Sequence, residues 1–478
     1  MTRRAEAERR RIAPARTAAY EVLRAVNSGA ADLPHALARA RDRLHDDRDR
    51  ALAGEIATGT LRWQGAFDHI ISMFAKRPIA RFDAEVVDIL RSAMFQLLHL
   101  DRVPASAAVN DAVQLTRLAG KTSAAPLVNA LLRRVSRERG RLPLPARPAD
   151  LSDRSAVLDY LSIALSHPRW LVARWLDRYG FEATESWLRF NNVPAPLTLR
   201  VNRLKTNGDA LLEALAKNGV RAERGRYAAD ALVIVDGNPL LTPLADEGLF
   251  FVQDEASQLV AAMVAAREGD RVLDACASPG GKTTAIAAAM HDRGLIVATD
   301  VRGRRVDLLA RTVEASGASC IRVVQADAGA LPFDHAALDG SANGFDWILL
   351  DAPCSGLGTI RRDPDLRWRR SEEDFARLSA MQLAMLRETA RVLRPGGRLV
   401  YSTCSSEPEE NEDVVAAFLA DGPVGVRPQF VGGRPQDVAE TARAVVSPQL
   451  VNAAGHLRTY PFRDGLEAFF AAILVKAG

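Results

Sequence analysis

Two cysteines, Cys354 and Cys404, stand 50 residues apart, each just past an apolar run that reads as a strand. Cys354 follows Phe345-Asp-Trp-Ile-Leu-Leu in Leu350-Asp-Ala-Pro-Cys-Ser-Gly, and Cys404 follows Gly397-Arg-Leu-Val-Tyr in Ser402-Thr-Cys-Ser. Ligands of an open α/β sheet bind outside the carboxyl ends of its strands, so both thiols are expected at one crevice. A third strand-loop, Val272-Leu-Asp-Ala-Cys-Ala-Ser-Pro-Gly-Gly-Lys-Thr, brings a glycine turn to the same edge. Paired thiols beside a nucleotide-type pocket point to covalent chemistry on a pyrimidine ring.

The chemistry divides unequally between the cysteines. A thiol reacts as its thiolate, which an ordinary pKa of about 8.5 leaves scarce at neutral pH. Cys404 is the better nucleophile candidate. Its addition to carbon 6 of a cytosine would make carbon 5 nucleophilic toward a sulfonium methyl. Carbon 5 must then lose a proton before the thiolate can leave. Asp351 is placed to hydrogen-bond the ring and Cys354 to assist release.

The glycine turn resembles a phosphate-binding P-loop only superficially. That motif needs a glycine five residues before the one preceding its lysine, and Cys276 occupies the position. A glycine turn still lets backbone approach a ligand closely. Asp300 follows Gly281 by 19 residues at the end of the next apolar run, the usual distance for a carboxylate on ribose hydroxyls. Asp327 ends the third run and could meet an adenine. An adenosyl cofactor fits all three; a tight turn and two helix-capping aspartates are the bland alternative.

These residues sit in a chain of 478 residues and 51.9 kDa, long enough for two or three domains. Residues 1–140 read as all helix, with apolar spacing of 3.6 in Ala18–Val26, Ala84–Leu98 and Ala107–Leu115. Gly140, Pro143, Pro145 and Pro148 then mark a linker. Residues 155–252 read as mixed, with a helix at Trp170 and strands at Leu197–Asn202 and Ala231–Val235. From 253 onward strands are expected at 271–275, 295–299, 321–325, 345–350, 397–402 and 468–475, alternating with helices as in a parallel doubly wound sheet. The division is 1–142 all-α, 150–252 small α+β and 253–478 α/β.

The four cysteines (276, 320, 354 and 404) form no Cys-x-x-Cys pair, which argues against a disulfide framework or a zinc knuckle. The eight histidines, among them His291 and His335, show no metal-ligand spacing. The amino terminus carries charges with no apolar segment behind them, and no run is long enough to cross a membrane. A cytoplasmic chain with reduced thiols, no metal and no membrane partner is expected. Net charge is only +4, but arginines cluster: six in 3–16, six in 133–147, and five around Trp368 in 361–370. Guanidinium groups beside an aromatic suit phosphate contact and base stacking; a solvated charged face is the default reading.

The three loops resemble the Sun-type RNA (cytosine-5)-methyltransferases, as do Arg200-Val-Asn-Arg-Leu-Lys-Thr, Val252-Gln-Asp-Glu-Ala-Ser-Gln-Leu-Val and Thr459-Tyr-Pro-Phe-Arg-Asp-Gly. The helical front, through Arg102-Val-Pro-Ala-Ser-Ala-Ala-Val-Asn and Val128-Asn-Ala-Leu-Leu-Arg-Arg, is similar to the RNA-binding domain of the antiterminator NusB. The resemblance implies a Rossmann-like class I methyltransferase behind a NusB-like domain, acting on 16S ribosomal RNA; a monomer is the expectation, with the oligomeric state left open by the sequence. It implies Cys404 as nucleophile, Cys354 in release, and Asp351 at the reacting ring. It also implies S-adenosylmethionine held by Cys276, Ala277, Ser278, Pro279, Gly280, Gly281, Lys282, Asp300, Asp327 and Asp351. Ser278 departs from the family's usual alanine, and 334–343 is longer than usual. A non-enzymatic RNA-binding or antitermination protein and a DNA cytosine methyltransferase are the competing readings. The second uses the Pro-Cys cysteine as nucleophile and normally lacks the Thr-Cys one.

Overall fold

The computed structural model describes residues 12–333, 344–420, 430–432 and 446–477. The chain divides into two compact units, Met1–Pro194 with Ile360–Arg370, and Ala195–Thr359 with Ser371–Gly478. Arg3, Arg4, Arg9, Arg10, Arg11 and the segment 334–343 lie outside the described residues.

The first unit is helical, as its spacing dictates: Pro14–Asn27, Leu33–Arg41, Asp47–Ala75, Ala84–His99, Ala105–Leu118 and Ala125–Arg137, then Arg154–Asp159, Arg169–Tyr179 and Phe181–Asn192. Local chemistry sets the starts. Asp32 and Asp46 accept from the backbone N–H of His35 and Arg48 at 2.9 and 2.7 Å, satisfying donors that the first turn leaves open. Leu23, Ile56 and Leu61 fill one apolar cluster and Phe67, Ile71, Leu90 and Leu132 another. Trp175 and Trp187 stack with centroids 4.2 Å apart, both without solvent contact.

Ile360–Arg370 corrects one sequence expectation. This arginine cluster is partly drawn inside: Arg367 is buried and Trp368 half-buried, while Arg369 stays exposed. Arg367 is fully buried and donates to the Ser166 carbonyl at 2.9 Å and to Asn192 Oδ1 at 3.0 Å. The Trp368 indole N–H donates to the Leu61 carbonyl at 2.7 Å. Arg361 donates to the carbonyls of Val193 and Pro194 at 3.0 and 2.9 Å. A basic run reads as solvated because lone arginines avoid burial; here backbone carbonyls meet them. Arg16 is likewise enclosed, 2.6 Å from Asp111 and from Gln96.

The second unit carries two sheets. In the smaller, the order is β2-β3-β1-β4, with β1 Thr198–Val201, β2 Arg221–Arg224, β3 Ala231–Asp236 and β4 Phe250–Val252, all antiparallel and covered by the helix Gly208–Lys217. Arg200 of β1, 3% exposed, donates to Thr284 Oγ1 at 2.7 Å and to the Gly281 carbonyl. Asn202 donates to the Ser316 carbonyl at 2.9 Å. The small sheet thereby clamps the two helices that follow the first strands of the larger one.

The larger sheet has the order β10-β12-β9-β8-β5-β6-β7, with β5 Arg271–Asp274, β6 Leu295–Asp300, β7 Ile321–Gln325, β8 Phe345–Asp351, β9 Leu393–Thr403, β10 Phe430–Gly432, β11 Leu457–Arg458 beside β12, and β12 Phe470–Lys476. β5 through β9 are mutually parallel. The central β5, β6, β8 and the end of β9 are mostly buried and apolar, as strands covered on both faces must be, whereas β7 at the edge is largely unburied. The sheet is mixed and not wholly parallel: β12 pairs antiparallel with β9, Phe470 opposite Thr403. Strand order reverses between β5 and β8, so the crevice for a ligand lies at Asp274 and Asp351.

Candidate active site

The glycine turn leads from β5 into the helix Gly281–Ala289. Gly280 has φ +105°, and a Cβ there would come within 2.9 Å of Leu309, so only glycine fits without strain. Ala277, Ser278 and Gly280 are buried, Cys276 and Lys282 half-buried, and Pro279 exposed. The Ser278 hydroxyl donates to the Arg305 carbonyl at 2.9 Å, and the Arg305 guanidinium returns a bond to the Ser278 carbonyl at 2.8 Å. Ser278 therefore staples the turn to the next helix.

Arg305 also faces Asp300 Oδ2 at 3.2 Å, while Asp300 Oδ1 accepts from the Arg302 N–H at 3.3 Å. A carboxylate has room for about four hydrogen bonds, so Asp300 retains acceptor capacity at the carboxyl end of β6. Asp327 is exposed and accepts from the Gly329 N–H at 2.8 Å, closing the turn after β7.

Parallel register sets Asp351 of β8 beside Ser402 of β9. Ser402 Oγ donates to Asp351 Oδ1 at 2.8 Å and Lys282 Nζ to Oδ2 at 2.6 Å. Burial works to lower the Lys282 pKa, but the charge of Asp351 and its hydrogen bond outweigh it and raise the value above the ordinary lysine range. Burial pushes the Asp274 carboxyl up to about 7 against the bond donated by Thr283; the charge of Asp351 adds to the rise. Burial also pushes the Cys276 thiol up, which suits a lining residue and not a nucleophile.

Cys354 and Cys404, expected at one crevice, meet: their Sγ atoms are 3.3 Å apart. Both are half-buried, and all four cysteines are free thiols. The hydrogen bond to Cys404, and then burial, hold Cys354 well above the ordinary thiol range. Either thiol can donate to the other across this contact. Close approach sharpens the corner: a Cβ on Gly358 would collide with the Ala468 carbonyl and lie 2.8 Å from that of Cys404. Cys320, away from this corner, is buried and held up to about 12 by burial and by Asp292.

Sequence reasoning missed the carboxylate under the two cysteine turns. Glu410 is fully buried and accepts from Ser355 and Ser405, the residues immediately after the cysteines, and from Gln382. The signal was present as Glu407-Pro-Glu-Glu-Asn-Glu, an acidic run that reads as a solvated face.

No described helix is long and apolar enough to cross a membrane. Residues 261–475 match the 16S rRNA methyltransferase RsmB/F family, 13–137 the NusB family and 167–240 an RsmF/B-like ferredoxin-like domain. Ribosomal RNA small subunit methyltransferase B of Pseudomonas putida is 35% identical, the alignment covering 96% of this chain and 98% of that one. The Xanthomonas campestris protein of the same name is 33% identical, with 97% of each covered. Among solved structures, that of PH0851 is similar at a TM-score of 0.76 and 27% identity, covering 97% of this chain and 99% of that one. Sheet order, glycine turn and relatives agree, and the chain belongs to the ribosomal RNA small subunit methyltransferase B family of S-adenosylmethionine-dependent enzymes, with a NusB-family domain at its front.

Proposed function

We propose that this enzyme methylates carbon 5 of a cytosine in 16S ribosomal RNA through a covalent adduct on Cys404. The 3.3 Å approach of Cys354 to Cys404 carries the reading, because a methyltransferase acting on an exocyclic atom or a hydroxyl needs no second thiol. Cys404 adds to carbon 6 of the ring while Asp351, fixed by Lys282 and Ser402, hydrogen-bonds the pyrimidine. Carbon 5, now nucleophilic, accepts the methyl group and then releases its proton to solvent water. The carbon–sulfur bond breaks, and the Cys354 thiol supports the departing sulfur through its hydrogen bond.

The residues fit S-adenosylmethionine. Gly280, with its positive φ, opens room for backbone approach. Asp300 offers acceptors for ribose hydroxyls, and Asp327 stands at the next strand end for the adenine. Cys276, Ala277, Ser278, Pro279, Gly281, Lys282 and Asp351 complete the lining. When bound, S-adenosylmethionine supplies an electrophilic methyl group.

In this reading residues 1–142 are the RNA-holding domain, 150–252 a bracing α+β region and 253–478 the catalytic domain, in a cytoplasmic monomer. Arginines 133–147 include exposed candidates for phosphate contact, although Arg134 and Arg147 already pair with Glu138 and Glu185 at 2.9 and 3.0 Å. Bisulfite sequencing of 16S RNA incubated with the enzyme and S-adenosylmethionine should reveal a newly protected cytosine. RNA that acquires methyl groups with every cytosine still converted would overturn the cytosine-5 assignment.

A further inference from the structure

We infer that Glu410 is a positioning residue for the reaction: its carboxylate holds the two cysteine turns in register and so sets the sulfur–sulfur distance. The inference rests on the two-thiol reading above. Cys354 and Cys404 lie on turns after different strands, β8 and β9, whose register ends at Asp351 and Ser402; beyond it the backbone joins the turns through the Gly358 N–H and the Cys404 carbonyl at 2.9 Å. Glu410 spans the gap. Its Oε1 accepts from the Ser355 N–H at 2.8 Å and from Gln382 Nε2 at 3.1 Å; its Oε2 accepts from the hydroxyls of Ser355 and Ser405, each at 2.5 Å. The two hydroxyls also touch at 3.1 Å.

Neighbouring bonds lock the carboxylate itself. The Tyr401 hydroxyl donates to the Glu410 carbonyl at 2.6 Å. Asn411 donates to the Ser405 carbonyl at 3.0 Å and accepts from Thr403 Oγ1. Gln382 donates also to the Pro353 carbonyl at 2.9 Å, on the residue before Cys354. Four donors converge on one carboxylate without solvent contact, and a buried carboxylate is tolerated only when so satisfied. Glu410 holds the turns through Ser355 and Ser405, and its charge adds to the rise in the Cys354 pKa.

The geometry can be read without RNA or cofactor by phenylarsine oxide, a trivalent arsenical that bridges two adjacent thiols. The arsenic–oxygen bond is replaced by two arsenic–sulfur bonds, and water carries off the oxygen with both thiol protons. The wild-type enzyme should take up one arsenical that resists a monothiol wash, and Cys354→Ala should not. Glu410→Ala should bind it at least about tenfold more weakly, since it leaves two turns with unsatisfied donors. Glu410→Gln should retain it, because the amide oxygen keeps the Ser355 N–H and Gln382 while both hydroxyls turn to accept. Methyl transfer by Glu410→Ala should fall at least about tenfold with S-adenosylmethionine affinity unchanged. If Glu410→Ala does not fold, Ser405→Ala, which cuts only the Cys404 turn loose, should weaken the arsenical in its place. Wild-type chelation by Glu410→Ala or, in its absence, by Ser405→Ala overturns the inference, as does full transfer activity in Glu410→Ala. If chelation depends on Glu410 yet the wild type makes no 5-methylcytosine, the positioning stands and the reaction assigned to it falls.

Discussion

Lys282 Nζ lies 2.6 Å from Asp351 Oδ2, joining the helix after the glycine turn to the carboxyl end of β8. One contact thereby couples the cofactor turn to the carboxylate expected at the pyrimidine. Replacing Lys282 with Met should leave Asp351 without its cation beside Asp274. Single-turnover methyl transfer should drop at least about tenfold, because misplacing a ring-contacting group by a fraction of an ångström is costly. A rate within twofold of wild type would remove the pair from the mechanism.

Asp300 should carry much of the cofactor's ribose binding. Asp300→Ala removes the acceptor for two hydroxyls, each bond to a charged group being worth about 1.5–3 kcal/mol. Calorimetry should register S-adenosylmethionine binding at least about tenfold weaker. Unaltered affinity would place the ribose elsewhere.

Asp274 should impose a pH dependence on stability. Its folded pKa of about 7 lies above the ordinary 3.8, so between those values the folded chain keeps a proton that the unfolded chain has lost. Stability from this group is present below about pH 4 and is lost as pH rises toward 7. Asp274→Asn lacks the titration. The unfolding free energy of wild type minus that of the variant should fall between pH 4 and pH 8; a flat or rising difference would contradict the buried, protonated carboxyl.

Arg367 should matter for the fold of the first unit and not for RNA contact. Burial, with the charge of Arg62 added, pushes its pKa well below the usual arginine range, and its partners are carbonyls. His167 does not join them: its Nε2 accepts from Asn191, so Nδ1 carries the hydrogen and donates to the Leu165 carbonyl at 2.7 Å. Arg367→Ala orphans buried acceptors and should cost about 2–4 kcal/mol in denaturant unfolding. A loss below about 0.5 kcal/mol, the scale of surface changes, would restore the solvated reading.

The sequence made the parallel strands legible because burial on both faces leaves long apolar runs, and β5 through β9 fell where those runs lie. Cys354 and Cys404 were legible because strand ends converge on one crevice. Other features were not. β2, Arg-Ala-Glu-Arg, has no apolar alternation and is mostly exposed. The antiparallel direction of β12 is invisible to periodicity, which reports faces and not direction. Arg367 was misjudged and Glu410 missed for one reason: charge runs look solvated, and many of their compensating partners are distant in sequence, Ser166 lying 201 residues from Arg367 and Ser355 lying 55 from Glu410. The acidic run after Cys404 conceals a carboxylate whose partners only tertiary structure supplies.

The central claim is that Cys404 attacks and Cys354 releases. It is tested most directly by denaturing electrophoresis of each cysteine variant after incubation with substrate RNA and S-adenosylmethionine. Cys404→Ser should give neither product nor adduct, because a neutral hydroxyl cannot replace the thiolate. Cys354→Ala should attack and transfer the methyl group, then stall as a protein–RNA species that survives denaturation. The double variant should show none. A trapped adduct in Cys404→Ser, with none in Cys354→Ala, would exchange the two roles and contradict the account.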